Sequence, residues 1–174
     1  KNEDEAINLA TAALDKFEKN YETKWLNMMR DKLGLYGQDK EDKNLIIELL
    51  DWMQKNKVDY TNTFVFLMNK KIKDSEAYDD TDFNLWKIKW VKRLTMFGNS
   101  PDESIELMNS TNPMVIPRNH KVEEALTLAS NGDLTLFNKL IKILKNPYLV
   151  NNSDLEFMSP APHSDKKYQT FCGT

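Results

Sequence analysis

Apolar side chains recur at helical spacing almost from the first residue of this chain. Ala6, Ala10, Ala13, Phe17, Tyr21, Trp25 and Met28 lie three or four positions apart, which places them on one face of a long helix with charged residues as the solvated side. The helix is predicted to end near Lys32, with Gly34 as its C-cap, and the stripe is expected to be core. A second helix is expected after Asp39, whose carboxylate can cap it. Glu41 and Asp42 suit its first turn, and Leu45, Ile46, Leu49, Leu50, Trp52 and Met53 form its buried side. Asp59-Tyr60-Thr61 opens a short third helix over Phe64, Leu67 and Met68. A fourth follows an acidic run and sets Phe83, Trp86, Trp90 and Leu94 on one face. Ser100-Pro101-Asp102-Glu103 combines a capping box with proline at the first helical position. The fifth helix it starts buries Ile105 and Met108 and breaks at Asn112-Pro113.

The remaining pattern runs from Asn112 to Tyr148. Pro113 and Pro117 hold 112–118 extended, because each disfavours helix in the residue before it. Arg118 and Asn119 then precede a helix expected to bury Val122, Ala125, Leu126 and Ala129. Gly132 can take the left-handed C-cap and Asp133 can cap the next helix, whose stripe is Phe137, Leu140, Ile141 and Leu144. Asn146-Pro147 stops it. From Tyr148 to Thr174 there is no helical period, and Ser159-Pro160-Ala161-Pro162 favours an extended chain. The expectation is an all-α domain of about seven helices over residues 1–147, with an extended tail over 148–174.

Composition narrows the classes. With 174 residues the chain can bury about 70% of its unfolded surface without staples. A net charge of −3 gives no global pull toward nucleic acid or an anionic membrane. Lys87, Lys89, Lys92 and Arg93 interleave with Trp86 and Trp90, which can signal stacking on single strands. Tryptophans four apart instead belong to a buried stripe, so no nucleic-acid partner is expected. No apolar run approaches a membrane span and no signal peptide is apparent. The single cysteine, Cys172, excludes an internal disulfide and fits a reducing compartment, so the glycosylation matches at Asn109 and Asn151 are read as chance. The chain opens on Lys1 directly into a helical pattern, and is expected to be part of something longer.

Candidate chemistry is sparse. Asp74, Glu76, Asp79, Asp80 and Asp82 lack the alternation and central glycine of a calcium loop and are read as a solvated loop and helix cap. His120 and His163 stand far apart without metal-ligand context, and His120 is read as a helix-start residue. Asp82-Phe83-Asn84 looks superficially like a kinase DFG triplet, yet it opens a helix and lacks the glycine. Arg118 is the internal polar residue that stands out, either bonding loop carbonyls across the two turns or facing a further domain. No catalytic residue, cofactor site or metal site is expected on these residues.

The ordered signatures resemble the C-terminal part of the selenoprotein O (SelO) family. Asn112-Pro113, Arg118-Asn119, the Ala-rich helix, Gly132-Asp133, Phe137 to Leu144 and Asn146-Pro147-Tyr148 carry the match. Trp25, Met29-Arg30, Lys32-Leu33-Gly34-Leu35, Asp59-Tyr60-Thr61, Phe64, Leu67, Trp86 and Arg93-Leu94 agree in the same order, and Cys172 stands third from the end, where the family carries cysteine or selenocysteine. The resemblance implies a parent similar in fold to protein kinases that binds ATP inverted and transfers AMP to protein hydroxyls with a divalent metal. ATP and Mg would belong to that parent, whose nucleotide-binding and catalytic residues lie N-terminal to the part matched. The resemblance also implies that Cys172 can pair with a cysteine of the kinase-like part as a redox control. The implied partners are that kinase-like domain and the parent's protein substrates. The implied compartment is the cytoplasm in a bacterium, or the mitochondrion in a eukaryote. The alternative is a free-standing helical protein-interaction module.

Overall fold

The computed structural model describes residues 3–68, 70, 72 and 75–161. Among these the regular structure is entirely helical: α1 (Glu3–Lys32), α2 (Asp42–Asn56), α3 (Tyr60–Leu67), α4 (Thr81–Leu94), α5 (Pro101–Thr111), α6 (Asn119–Ser130) and α7 (Thr135–Leu144). Short 3-10 helices cover Ser75–Asp79 and Asn152–Met158. The all-α fold with seven α-helices is as the periodicity predicts. The chain divides into two compact units, Lys1–Met114 and Val115–Thr174.

The first unit is built on an aromatic core between α2, α3 and α4. Trp52 meets Phe83 with ring centroids 4.5 Å apart, Phe66 stacks on Tyr78 at 4.1 Å, and Trp86 stacks on Trp90 at 5.9 Å. Each such pair adds about 0.5–1.5 kcal/mol beyond its area. The polar edges of these rings are also satisfied. The Trp86 indole donates to the Leu45 carbonyl at 2.8 Å, the Trp90 indole to the Leu33 carbonyl at 2.9 Å, and the Trp52 indole to Asp80 at 2.7 Å. Trp86 and Trp90 are both 4% exposed, so the tryptophan stripe is core.

Helix starts follow their local chemistry. Asp59 accepts from the Asn62 amide and Asp80 from the Phe83 amide, each at an N-cap. Ser100 and Glu103 form the reciprocal capping box ahead of Pro101. At the end of α1 the amides of Leu35 and Gly34 reach back to the carbonyls of Arg30 and Asp31, a Schellman closure with Gly34 at φ +69°. A Cβ on Gly34 would stand 2.7 Å from the Ser104 carbonyl of α5, so glycine is required for both conformation and space.

Two expectations in this unit are corrected. The stripe of α1 is not core: every residue from Glu3 to Lys24 is exposed, and burial starts in earnest only at Met29 and Arg30. A 3.6-residue period reports that a helix has an apolar face, and among the described residues no element covers this one. The second helix begins at Asp42, with Glu41 at its N-cap; Asp39 instead accepts from the Glu41 amide in the preceding turn.

The second unit is an α6–α7 hairpin. Its joint is another Schellman closure, with the Gly132 and Asp133 amides bonded to the carbonyls of Ala129 and Leu128 and Gly132 at φ +90°. Asp133 accepts from the Thr135 amide at 2.8 Å, while Leu134 occupies the N-cap position of α7. Ala125, Leu140 and Ile143 are buried, but Leu126 and Ile141, both expected to be core, are 46% and 40% exposed. Two short helices packing on each other bury a narrower strip than the pattern offers. The start of the expected tail also differs. Asn152–Met158 winds into a 3-10 helix that buries Phe157, capped on its faces by the ammonium groups of Lys139 at 5.0 Å and Lys121 at 6.0 Å from the ring centroid.

Candidate functional site

Arg30, Asp42 and Arg93 come from three different helices and meet inside the first unit. The Asp42 side chain is fully buried, and those of Arg30 and Arg93 are under a tenth exposed. Asp42 Oδ2 accepts from Arg30 Nε at 2.6 Å, Arg93 Nη2 at 3.2 Å and the Asp39 amide at 3.0 Å, and Oδ1 accepts from Arg93 Nε at 2.7 Å. Arg93 spends its remaining donors on the carbonyls of Tyr36 and Gly37, and its guanidinium lies over the Phe97 ring at 4.7 Å. Arg30 also donates to Asn27. Burial pushes the Asp42 carboxyl upward, but the hydrogen bonds from Arg93, Asp39 and Arg30 and the charge of Arg93 outweigh it and hold the group below the usual carboxylate range. With both carboxylate oxygens accepting hydrogen bonds and both guanidiniums held against them, this cluster is an anchor for the end of α1. The sequence marked Asp42 only as a first-turn acid and gave no sign of this cluster, because an acid in the first turn of a helix is ordinarily solvated.

Asn112 extends that anchor. It is 1% exposed, caps α5, and its side-chain amide donates to the carbonyls of Lys32 at 2.8 Å and Met108 at 3.0 Å. Of the other signature residues, Pro113 follows in half-buried extended chain. Arg118, 9% exposed, is the N-cap residue of α6, and Asn119 is the exposed first residue of that helix. The two turns are tied by backbone: the Val115 amide donates to the Pro147 carbonyl at 3.2 Å. Gly132 and Asp133 form the hairpin joint described above. Thus Asn112 belongs to the first unit, and Arg118, Asn119, Gly132, Asp133 and Pro147 to the second.

The other residues with possible chemistry are occupied or dispersed. Asp80 is taken by Phe83 and Trp52, and Asp82 pairs with Lys55 at 3.0 Å. Burial, then the neighbouring positive charges of Lys121 and Arg118, hold the His120 imidazole below its usual value. Among the described residues no group of three or more His, Cys, Asp or Glu side chains could hold a metal ion. Among them, too, no helix is long and apolar enough to cross a membrane. His163 and Cys172 lie outside the described residues.

What the first unit does present is the open face of α1. Ile7, Leu14, Phe17, Tyr21 and Met28 are 56%, 70%, 67%, 62% and 44% exposed, and the Phe17 and Tyr21 rings stack at 6.1 Å. Phe17, Asn20, Tyr21, Lys24, Trp25 and Met28 line an open groove along it.

Comparison with known proteins gives this geometry a context. The family model described as protein adenylyltransferase SelO matches residues 6–145. The chain is 81% identical over 173 residues to the protein nucleotidyltransferase YdiU of Pelagibacter ubique (strain HTCC1062), covering 99% of this chain and 36% of that protein. It is 43% identical over 174 residues to the YdiU of Clostridium perfringens (strain 13 / Type A), covering 99% of this chain and 35% of that one. It is 39% identical over 173 residues to the YdiU of Bacillus thuringiensis (strain Al Hakam), again 99% against 36%. The chain therefore spans about a third of the length of the curated relatives it matches.

Proposed function

Since the chain belongs to the SelO family of protein adenylyltransferases, we propose that it is the helical portion of an enzyme that transfers AMP from ATP to protein hydroxyl groups. The observation that carries this is the match over nearly the whole chain to proteins named as nucleotidyltransferases. In this reading the two units support a kinase-like part of the longer polypeptide, which supplies the ATP and Mg site. The first unit is suited to that role because Arg30, Asp42, Arg93 and Asn112 fasten the end of α1 to the neighbouring helices, leaving an anchored end from which α1 projects. Its setting is the cytoplasm, and its protein substrates are met by the kinase-like part.

Full-length protein incubated with Mg and ATP labelled on the α-phosphate should pass label to protein substrates or to itself. The same assay with γ-labelled ATP should pass none. Transfer of the γ-phosphate would make the enzyme a kinase, and no transfer of either label would overturn the reading.

The same reading gives Cys172 a regulatory role, as one half of a disulfide with a cysteine of the kinase-like part. Non-reducing electrophoresis of the oxidised full-length protein should then show a mobility shift that Cys172→Ser abolishes. Identical patterns for the two proteins would remove the role.

A further inference from the structure

The open face of α1 asks for a partner. At about 200 Å² for each large side chain, the exposed fractions of Ile7, Leu14, Phe17, Tyr21 and Met28 leave roughly 600 Å² of apolar surface in one strip. That is at the upper end of what monomeric proteins expose, about 300–600 Å² in their largest patch, and approaches the roughly 800 Å² that one side contributes to a standard interface. The strip lies on a helix whose first 22 described residues are all exposed, whereas in proteins most helical stability comes from tertiary packing of an amphipathic face.

Three occupants are possible in principle: a second copy, another protein, or the remainder of the longer polypeptide. A second copy paired in parallel would set Lys24 against Lys24, since that residue falls on the same seam as Ile7, Ala10, Leu14, Phe17 and Tyr21. The centre of the seam is also aromatic, with Phe17 and Tyr21 where a two-stranded coiled coil uses Ile, Val and Leu, and Trp25 beside it. Aromatic side chains flanking an open groove suit a broad, preformed surface. Nearly two thirds of the Pelagibacter relative lies outside the match, so a surface large enough to cover the strip is available within the same kind of polypeptide.

We propose that the Ile7–Met28 face of α1 docks onto the part of the SelO polypeptide outside residues 1–174, and that the Glu3–Lys24 portion of the helix becomes stable on docking. The inference rests on the reading that this chain is the helical portion of a longer adenylyltransferase, and it names the surface by which the two portions are joined.

The test places a photoreactive p-benzoylphenylalanine at position 17 of the full-length protein. Illumination should give an intramolecular cross-link, mapped by mass spectrometry to residues outside 1–174. A cross-linked species of twice the mass, cross-links confined to 1–174, or no cross-link would overturn the proposal. Hydrogen exchange supplies the second readout. Amides of residues 3–24 should exchange at least tenfold more slowly in the full-length protein than in the 174-residue chain, and equal rates would refute stabilisation on docking. In the full-length protein Phe17→Asp combined with Tyr21→Asp should remove this protection, whereas Lys19→Glu on the opposite face should keep it. None of these readouts depends on nucleotide transfer. Absence of AMP transfer with the cross-link intact would sink the enzymatic reading alone, and transfer with a dimeric cross-link would sink the docking proposal alone.

Discussion

Replacing Asp42 by alanine should cost the first unit about 3–5 kcal/mol, more than any single apolar truncation at the rim of its core. Four hydrogen bonds from three donor residues converge on the Asp42 oxygens. At roughly 1.5–3 kcal/mol for each bond to a charged group, the gross interaction is large. It is opposed by a desolvation cost of several kcal/mol for each buried ion. The intact cluster therefore contributes little net. Removing its anion is a different matter, because two guanidiniums under a tenth exposed are left without a counter-charge. Breaking a buried pair from one side costs about 3–5 kcal/mol. All four tryptophans lie in the first unit, so urea unfolding followed by tryptophan fluorescence reports on that unit. A lowered midpoint with unchanged slope is the expected result. Adding Arg30→Met and Arg93→Met to Asp42→Leu should recover most of the loss, since no buried charge then remains. A cost below about 1 kcal/mol for Asp42→Ala, or a triple variant no better than the single, would refute this account.

Three further outcomes follow from the geometry. Gly34→Ala should destabilise by well over the roughly 1 kcal/mol of a positive φ, because its Cβ meets the Ser104 carbonyl at 2.7 Å; Gly132→Ala, with open space around it, should cost only the conformational part. Urea midpoints of the pair decide this. Lys57, the C-cap of α2, is held at φ +53°, so Lys57→Gly should raise stability by about 0.5–1 kcal/mol. The Asp42 carboxyl is lowered in the folded state, so its contribution is present above its unfolded pKa of about 3.9. It is lost as pH falls through the lower folded value. Unfolding midpoints measured from pH 6 downward should therefore drop below about pH 4, and Asp42→Asn should start lower and show a shallower drop.

Much of each unit was legible because its signals are local. Phe83, Trp86 and Trp90 repeat at the helical period and are buried; Ser100 and Glu103 stand at capping-box spacing and form one; Gly132 sits where a left-handed residue ends α6. Asp42 was not legible, because its role depends on Arg93, 51 residues away, and no local pattern encodes that meeting. Arg30 was noticed only as part of a family signature and Arg93 only there and among the basic residues of its helix, and the structure supplies the reason they accompany each other. The α1 stripe shows the complementary failure. Its period was read correctly, but a period names a face and leaves the neighbour open. Leu126 and Ile141 fail for a related reason, since the width of the buried strip is set by how few elements pack in the second unit.

The tethering of α1 at one end has a mechanical and thermodynamic corollary. The last turn of α1 is gripped by Arg30 on Asp42, by the Trp90 indole on the Leu33 carbonyl and by the Asn112 amide on the Lys32 carbonyl, while the exposed Glu3–Lys24 stretch, about 33 Å of helix, lies beyond the grip. Such a helix is a cantilever. Whatever binds its free length stiffens a member whose root is the buried cluster, so binding and cluster integrity share one coupling free energy. By reciprocity, a ligand of the strip should raise the resistance of the cluster to urea, and loosening the root at Asp42 should weaken the ligand by the same factor.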